Sequence, residues 1–282
     1  MESPREILRR HGLHPKQSWG QNFLGDERAL QGIVDALGLR EGEPVVELGP
    51  GLGHLTRFLA ATGARITAVE KDRDMVAVLE KEAIPGVRVV PGNAATVDFA
   101  QAAGAPEVAV VGNLPYHLTS SILFQVLEQR AHVSRAVFTL QKEVVERLAA
   151  KPGNRDYGLL TVLLGLYFDI DQVAMLPARL FHPPPKVDSA VVRLTRLKAP
   201  RAPVVDEERF IRVVKAAFAQ RRKTLLNSLK SDRSLATPEQ CAKALETAGI
   251  DPMRRAETLA AEEFAALERA LESPLPSGEG GG

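Results

Sequence analysis

Val45-Val46-Glu47-Leu48-Gly49-Pro50-Gly51-Leu52-Gly53 is the stretch that decides how this chain folds. An apolar run of strand length passes into three glycines at alternate positions, then into an amphipathic segment over residues 54–61. Glycine suits such a turn because the backbone must lie against a ligand, where a Cβ would clash. The helix that follows adds its N-terminal amides to the same pocket. In an open parallel sheet, ligands bind outside the carboxyl ends of the strands, and this loop stands at such an end.

Outward from the loop the same rhythm repeats. Strand-like runs at Arg65–Glu70, Val87–Pro91, 108–112 and 136–141 alternate with helical patterns at Arg73–Glu82, 120–129 and 142–150. Short apolar runs separated by helices predict βαβ units and a parallel sheet covered on both faces. Before the loop, a short basic helix and an irregular segment lead to a helix from Asp26 that stops at Gly38. After it, residues 159–168 and 186–197 read as two strands closing one edge, joined by a Pro-rich link. A linker at 198–203 precedes helices expected over 206–229, 238–248 and 261–271, and the Ser/Pro/Gly-rich residues 273–282 read as disordered. The expected organisation is a larger domain carrying the glycine loop over 1–197, a small helical domain over 198–272 and the tail.

Two cofactor classes use a glycine loop of this kind. Dinucleotide sites follow GxGxxG, but here the third place holds His54 and the third glycine comes early, at Gly53. The strand also delivers Glu47 into the loop, which suits S-adenosylmethionine better than a pyrophosphate. The next strand ends in Glu70, a carboxylate able to accept from both ribose hydroxyls. The third strand is followed by Gly92-Asn93-Ala94, placed to flank an adenine ring.

Asn113-Leu114-Pro115-Tyr116 follows the apolar strand at 108–112 and narrows the chemistry. An exocyclic amine is a poor nucleophile because its lone pair is delocalised into the ring. Acceptors aimed at both N–H groups favour a pyramidal nitrogen, and the Asn113 side-chain oxygen and Leu114 carbonyl supply them. Pro115 fixes the turn and brings no competing N–H. Tyr116 offers a face on which a base stacks. A sulfonium is already a good leaving group, so catalysis needs in-line positioning at ~3–3.5 Å and electrostatic complementarity, with no strong base. His117 reads as a surface residue. Phe181, ahead of His182-Pro183-Pro184-Pro185, has two readings: a second aromatic face for the base, or a core side chain.

Composition narrows the rest. Hydrophobic residues make up 45% and charged ones 25%, the balance of a globular protein with a substantial core. One cysteine, Cys241, and six scattered histidines give no metal-binding pattern, so no metal is expected. Residues 1–13 lack the apolar stretch of a signal peptide, and no run approaches a membrane span. A cytoplasmic protein is expected.

These residues together resemble the KsgA-type small-subunit ribosomal RNA adenine dimethyltransferases. The matching pieces are Gly20-Gln21-Asn22-Phe23-Leu24, the 47–53 loop, Val69-Glu70-Lys71-Asp72, Asn113-Leu114-Pro115-Tyr116, residues 181–192 and residues 218–229. The resemblance implies a Rossmann-like S-adenosylmethionine-dependent methyltransferase sheet with a small C-terminal helical domain. It implies a cofactor site of Asn22, Leu24, Glu47, Gly49, Gly51, Glu70, Lys71, Asn93, Ala94 and Asn113. The target adenine would lie between Tyr116 and Phe181. The implied reaction is dimethylation of two adjacent adenosines near the 3′ end of 16S ribosomal RNA. The partner would be the small (30S) subunit or its precursor, met by a monomer. Asn93 departs from the family, which commonly has aspartate there, so its contact would lack charge.

The net charge of +1 hides a strong asymmetry. Residues 198–233 hold ten basic and four acidic side chains, whereas 234–272 hold four basic and eight acidic. Arg221, Arg222 and Lys223, read as part of a basic helix, are the expected phosphate contacts. Arg5, Arg9, Arg10 and Lys16 extend that surface. The rivals are a large-subunit ribosomal RNA methyltransferase of the erythromycin-resistance type and an assembly factor that has lost turnover. The former is not expected to carry the 220–229 stretch, and intact Glu70, Asn113, Pro115 and Tyr116 give the latter no support.

Overall fold

The computed structural model describes residues 1–272, so the tail expected at 273–282 lies outside the described residues. The chain divides into two units, one of residues 1–146 with 169–196, the other of 147–168 with the chain from 197 onward.

The first unit opens with α1 (Pro4–Arg10), started by a Ser3/Glu6 capping box with proline at its first turn. A two-residue strand, β1 (Phe23–Leu24), precedes α2 (Glu27–Leu37), which Asp26 caps and Gly38 ends in the left-handed region. Then β2 (Pro44–Leu48), α3 (His54–Ala60), β3 (Arg65–Glu70), α4 (Arg73–Glu82) and β4 (Val87–Pro91) alternate as the pattern predicts. They are followed by α5 (Phe99–Ala103), β5 (Val108–Asn113), α6 (Thr119–Glu128), β6 (Val133–Gln141) and α7 (Lys142–Leu148). After α8 (Leu159–Gly165) come β7 (Phe168–Leu176), β8 (Phe181–His182) and β9 (Ser189–Arg196).

Seven strands form one sheet in the order β4-β3-β2-β5-β6-β9-β7. The β4 to β6 portion is parallel, and β9 joins β6 antiparallel. Val45, Val46 and Leu48 of β2 and Val108 to Val111 of β5 are all buried. Consecutive residues point to opposite faces, so both faces are covered, as a parallel sheet requires. The strand order reverses between β2 and β5, which makes this the topological switch point. The loops leaving those two strands open into one crevice. Antiparallel to β1, β8 forms a separate two-stranded ribbon, pairing Phe23 with His182 and Leu24 with Phe181.

The second unit holds α8 with α9 (Glu207–Phe218), α10 (Leu225–Leu229), α11 (Pro238–Thr247) and α12 (Ala261–Glu272). Phe218 packs on Tyr157 and Phe264, with ring centroids 6.3 and 5.9 Å away. The buried Glu268 carboxylate accepts from Arg209 Nη2 at 2.7 Å and from the Val205 and Asp206 amides at 3.1 Å, tying α12 to the start of α9.

Three expectations are corrected. Residues 159–168 form a helix up to Gly165, and the strand starts only at Phe168. A short run that is apolar but for Thr161 and Gly165 carries no period that separates a buried helix from a buried strand. The edge strand β7 occupies the segment read as a link, its exposed Asp169 and Gln172 masking it. The helix expected over 206–229 breaks into α9 and α10. Residues 220–223 offer no apolar face to pack, and the Arg221 guanidinium donates to the Arg155 carbonyl from a turn. Among the described residues no helix is long and apolar enough to cross a membrane.

Candidate active site

The loop after β2 is shaped by its glycines. Gly51 has φ +56°, and a Cβ there would stand 2.9 Å from the Phe23 ring. Its amide donates to Glu70 Oε2 at 3.1 Å, while Glu70 Oε1 accepts from the Asp72 amide at 2.8 Å. Glu70 thus links the ends of β2 and β3. At Gly49 (φ +66°) a Cβ would meet nothing within 4 Å, so open space lies against the backbone there.

Two carboxyl groups face this space. Burial pushes Glu47 up to about 8, and the neighbouring Glu70 charge adds to the effect. Among the described residues its Oε2 has no hydrogen-bond partner, although Glu47 is 1% exposed. Burial also raises Glu70, against backbone amides that pull the other way. An orphaned buried acid beside a second carboxylate is a costly arrangement that a cationic ligand relieves.

The turn after β5 forms the opposite wall. The Leu114 amide donates to the Thr139 carbonyl at 3.2 Å, which anchors the turn to β6. Asn113 Nδ2 donates to the Asn22 carbonyl oxygen at 2.8 Å. That oxygen can only accept, so the carboxamide must present its nitrogen to it. Oδ1 is left without a donor among the described residues. Tyr116 is half-buried, its hydroxyl 2.8 Å from Ser189 Oγ on β9. Burial raises its phenol, which therefore stays protonated near neutrality.

One cavity brings together Asn22, Leu24, Glu47, Gly49, Gly51, Glu70, Asn113, Leu114, Pro115 and Tyr116. Four expected residues do not line it. Lys71 is exposed, with its ammonium 5.8 Å from the Trp19 ring centre. The Asn93 side-chain oxygen accepts from the Ala95 amide at 3.1 Å, closing a local turn in which Ala94 is the middle residue. Phe181 is 5% exposed and packs in the core cluster with Leu24, Leu30 and Ile33. Its pairing with Leu24 turns the ring inward, so of its two readings the core one describes this structure.

Sequence reasoning missed how the segment before β1 is held. Asp72, 1% exposed, accepts from Lys16 Nζ at 2.6 Å and Gln21 Nε2 at 2.7 Å, and Trp19 joins the cavity lining. Gln21 lies inside a quoted motif, which was the available signal. The pairing of Lys16 with a buried aspartate had none. His117 is exposed, as read.

The model of the ribosomal RNA adenine dimethylase family matches residues 12–273. The ribosomal RNA small subunit methyltransferase A of Myxococcus xanthus is 77% identical over 277 residues, 98% of each chain. That of Geobacter metallireducens is 43% identical, covering 94% of this chain and 98% of its own. Among solved structures, the 23S rRNA methyltransferase ErmE superposes with a TM-score of 0.67 at 31% identity, covering 89% of this chain and all of its own. A dimethyladenosine transferase from Plasmodium falciparum shares the fold, with a TM-score of 0.73 at 24% identity over 87% of this chain and 95% of its own.

Proposed function

The chain belongs to the ribosomal RNA adenine dimethylase family, and on that premise we propose how its site works and on what. It transfers methyl groups from S-adenosylmethionine to N6 of two adjacent adenosines near the 3′ end of 16S ribosomal RNA, dimethylating each. The observation that carries this reading is the shared crevice of the acid-lined glycine loop and an asparagine whose Oδ1 is unclaimed.

S-adenosylmethionine supplies an electrophilic methyl on a positively charged sulfur. Glu47 and the open face of Gly49 fit its cationic amino acid end, since that charge relieves the orphaned carboxyl. Glu70, already oriented by the Gly51 and Asp72 amides, retains lone pairs for ribose hydroxyls. Asn113 Oδ1 accepts one N6–H of the adenine and the Leu114 carbonyl the other, which turns the nitrogen lone pair outward. Tyr116, steadied by Ser189, gives the base a flat surface. The phenol is no base at neutral pH, so the surplus proton leaves to water. Phe181 would have to swing out of the core to cover the second face of the base. The segment at Asn93 lies beside the Glu70 strand end, the Gly92 amide donating to the Glu70 carbonyl at 2.9 Å.

The choice of small-subunit RNA rests on the 77% identical relative, against 31% for the 23S enzyme. The 220–229 stretch supports the same choice. Arg222 and Lys223, exposed on the turn between α9 and α10, serve as phosphate contacts together with Arg221. The protein acts on the small subunit or its precursor as a cytoplasmic monomer, with a part in subunit biogenesis. Incubation with labelled cofactor and unmethylated subunits, followed by mass spectrometry of the nucleosides, tests this. Dimethyladenosine in small subunits is expected, and label confined to large subunits would reverse the choice.

A further inference from the structure

A second concavity adjoins the candidate active site at the β1–β8 ribbon. Phe23 lines the first cavity, and its register partner, His182, lines the second. Paired Cα atoms in an antiparallel ladder stand about 5 Å apart, so the two concavities are neighbours. Leu8 and Leu13 form the apolar floor of the second, and Arg5, Arg9, His14 and His182 surround it.

The cations here differ from others in the N-terminal segment. Arg5 and Arg9 stand four residues apart on α1 and so share one face of it. Both are exposed, and neither has a hydrogen-bond or ion-pair partner among the described residues. Arg10, by contrast, is held by Glu2 at 2.8 Å and Glu82 at 2.7 Å. Lys16 is held by Asp72 at 2.6 Å and Asp74 at 2.7 Å. The expectation that all four extend the RNA surface is therefore narrowed to Arg5 and Arg9. Glu6 also lines the concavity, its Oε2 accepting from the Ser3 amide at 2.8 Å and hydroxyl at 2.7 Å. It stays anionic and feels the Arg9 charge, so the rim sets two guanidiniums against one carboxylate.

We propose that this concavity is a backbone subsite that takes a phosphate of an RNA nucleotide next to the target adenosine. The inference rests on the reading of the neighbouring crevice as an RNA adenine site. A strand that delivers its base to that crevice must carry a phosphate on each side of the nucleotide. Two unpaired guanidiniums on one helix face, with two imidazoles beside them, match a phosphodiester in charge and in donor supply. An apolar floor under a cationic rim also lets the arginine stems pack while their heads reach outward.

The test compares wild type with an Arg5→Gln/Arg9→Gln variant for binding to unmethylated small subunits across a salt series. Both side chains are exposed, so the capped helix and the fold remain, and calorimetry with S-adenosylmethionine should give the wild-type affinity. Subunit affinity should fall about tenfold near physiological salt, and the slope of log K against log salt should drop by about one to two units. An Arg5→Lys/Arg9→Lys variant should regain most of the slope, which a merely structural role would not produce. A photocrosslinker at position 9 should label RNA. Wild-type affinity and slope in the glutamine variant, or crosslinks to ribosomal protein alone, overturn the subsite while methylation by wild type still supports the functional reading. Wild-type protein that leaves the subunits unmethylated removes that reading and this inference with it.

Discussion

Asn113 Nδ2 donates to the main-chain carbonyl of Asn22 at 2.8 Å, joining two residues 91 positions apart. The bond fixes which end of the carboxamide faces the crevice. The segment that carries Asn22 therefore sets which end of the Asn113 carboxamide is left unpaired in the cavity. Asn22 is itself steadied, its side-chain nitrogen donating to the Gly20 carbonyl at 3.1 Å. The glycine loop and the Asn113 turn thus line one cavity, with the Asn22 segment bonded to the turn.

That bond makes aspartate a poor substitute at position 113. A carboxylate would set an oxygen against the Asn22 carbonyl, two acceptors with no proton between them. Asn113→Asp and Asn113→Ala should each lower kcat by roughly 10²–10³, the usual cost of one positioned polar group. Cofactor affinity measured by calorimetry should hold in the alanine variant. Near-normal turnover of the aspartate variant would show that the carboxamide is not held as described.

Cofactor binding should release a proton through Glu47. In the free protein burial pushes this carboxyl up to about 8, opposed by the Thr56 hydroxyl and aided by the Glu70 charge. It is therefore mostly protonated at pH 7. A cationic ligand beside it stabilises the carboxylate and drives the proton to buffer. Calorimetry in buffers of different ionisation enthalpy reads this directly, and Glu47→Gln should abolish the release. Stability of the free protein should carry the matching signature. The folded-state value lies above the ordinary 4.5, so this group's contribution to stability is full below about 4.5, falls as pH rises to about 8, and then levels off. Binding with no net proton exchange at pH 7 would contradict the assignment.

Tyr116 and Ser189 should behave as a coupled pair. Their hydroxyls lie 2.8 Å apart, with Ser189 fully buried. Losing one partner costs about 0.5–1.5 kcal/mol of stability. Tyr116→Phe and Ser189→Ala should each weaken turnover modestly, and the double variant should add little to either. Strictly additive losses in kcat/KM would mean that Ser189 does not steady the ring.

The exposed turn between α9 and α10 should govern salt dependence rather than chemistry. Replacing Arg222 and Lys223 with glutamine should lower affinity for small subunits and flatten its salt slope by about one unit for each phosphate left unneutralised. Turnover measured with saturating subunits should change far less than KM. An unaltered slope would remove this turn from the RNA surface.

The parts of the molecule that were legible in residue order share one property: their signal is local. The β2 loop announces itself because strand, glycines and helix follow one another without a gap. The Asn113 to Tyr116 turn and the Glu70 strand end are equally self-contained. Where the signal depended on neighbours, reading failed. Residues 159–165 are mostly apolar with no clear period, and the helix they form buries only Thr161 to Leu164. The 220–223 stretch is charged enough to look helical in context, yet has nothing to pack against.

Residue order was enough for the strand alternation and the cofactor class, and for the place of the Asn113 turn at a strand end in the cavity. Chain connectivity and glycine stereochemistry act between adjacent positions, and so they are written in the sequence. Tertiary structure alone decided that Phe181 lies inward beside Leu24, that Lys16 and Gln21 converge on Asp72, and that Arg5 and Arg9 stay unpaired while Arg10 does not. Ion pairs and packing are settled by which distant segments meet, and a carboxylate dozens of residues away leaves no mark beside the cation it neutralises.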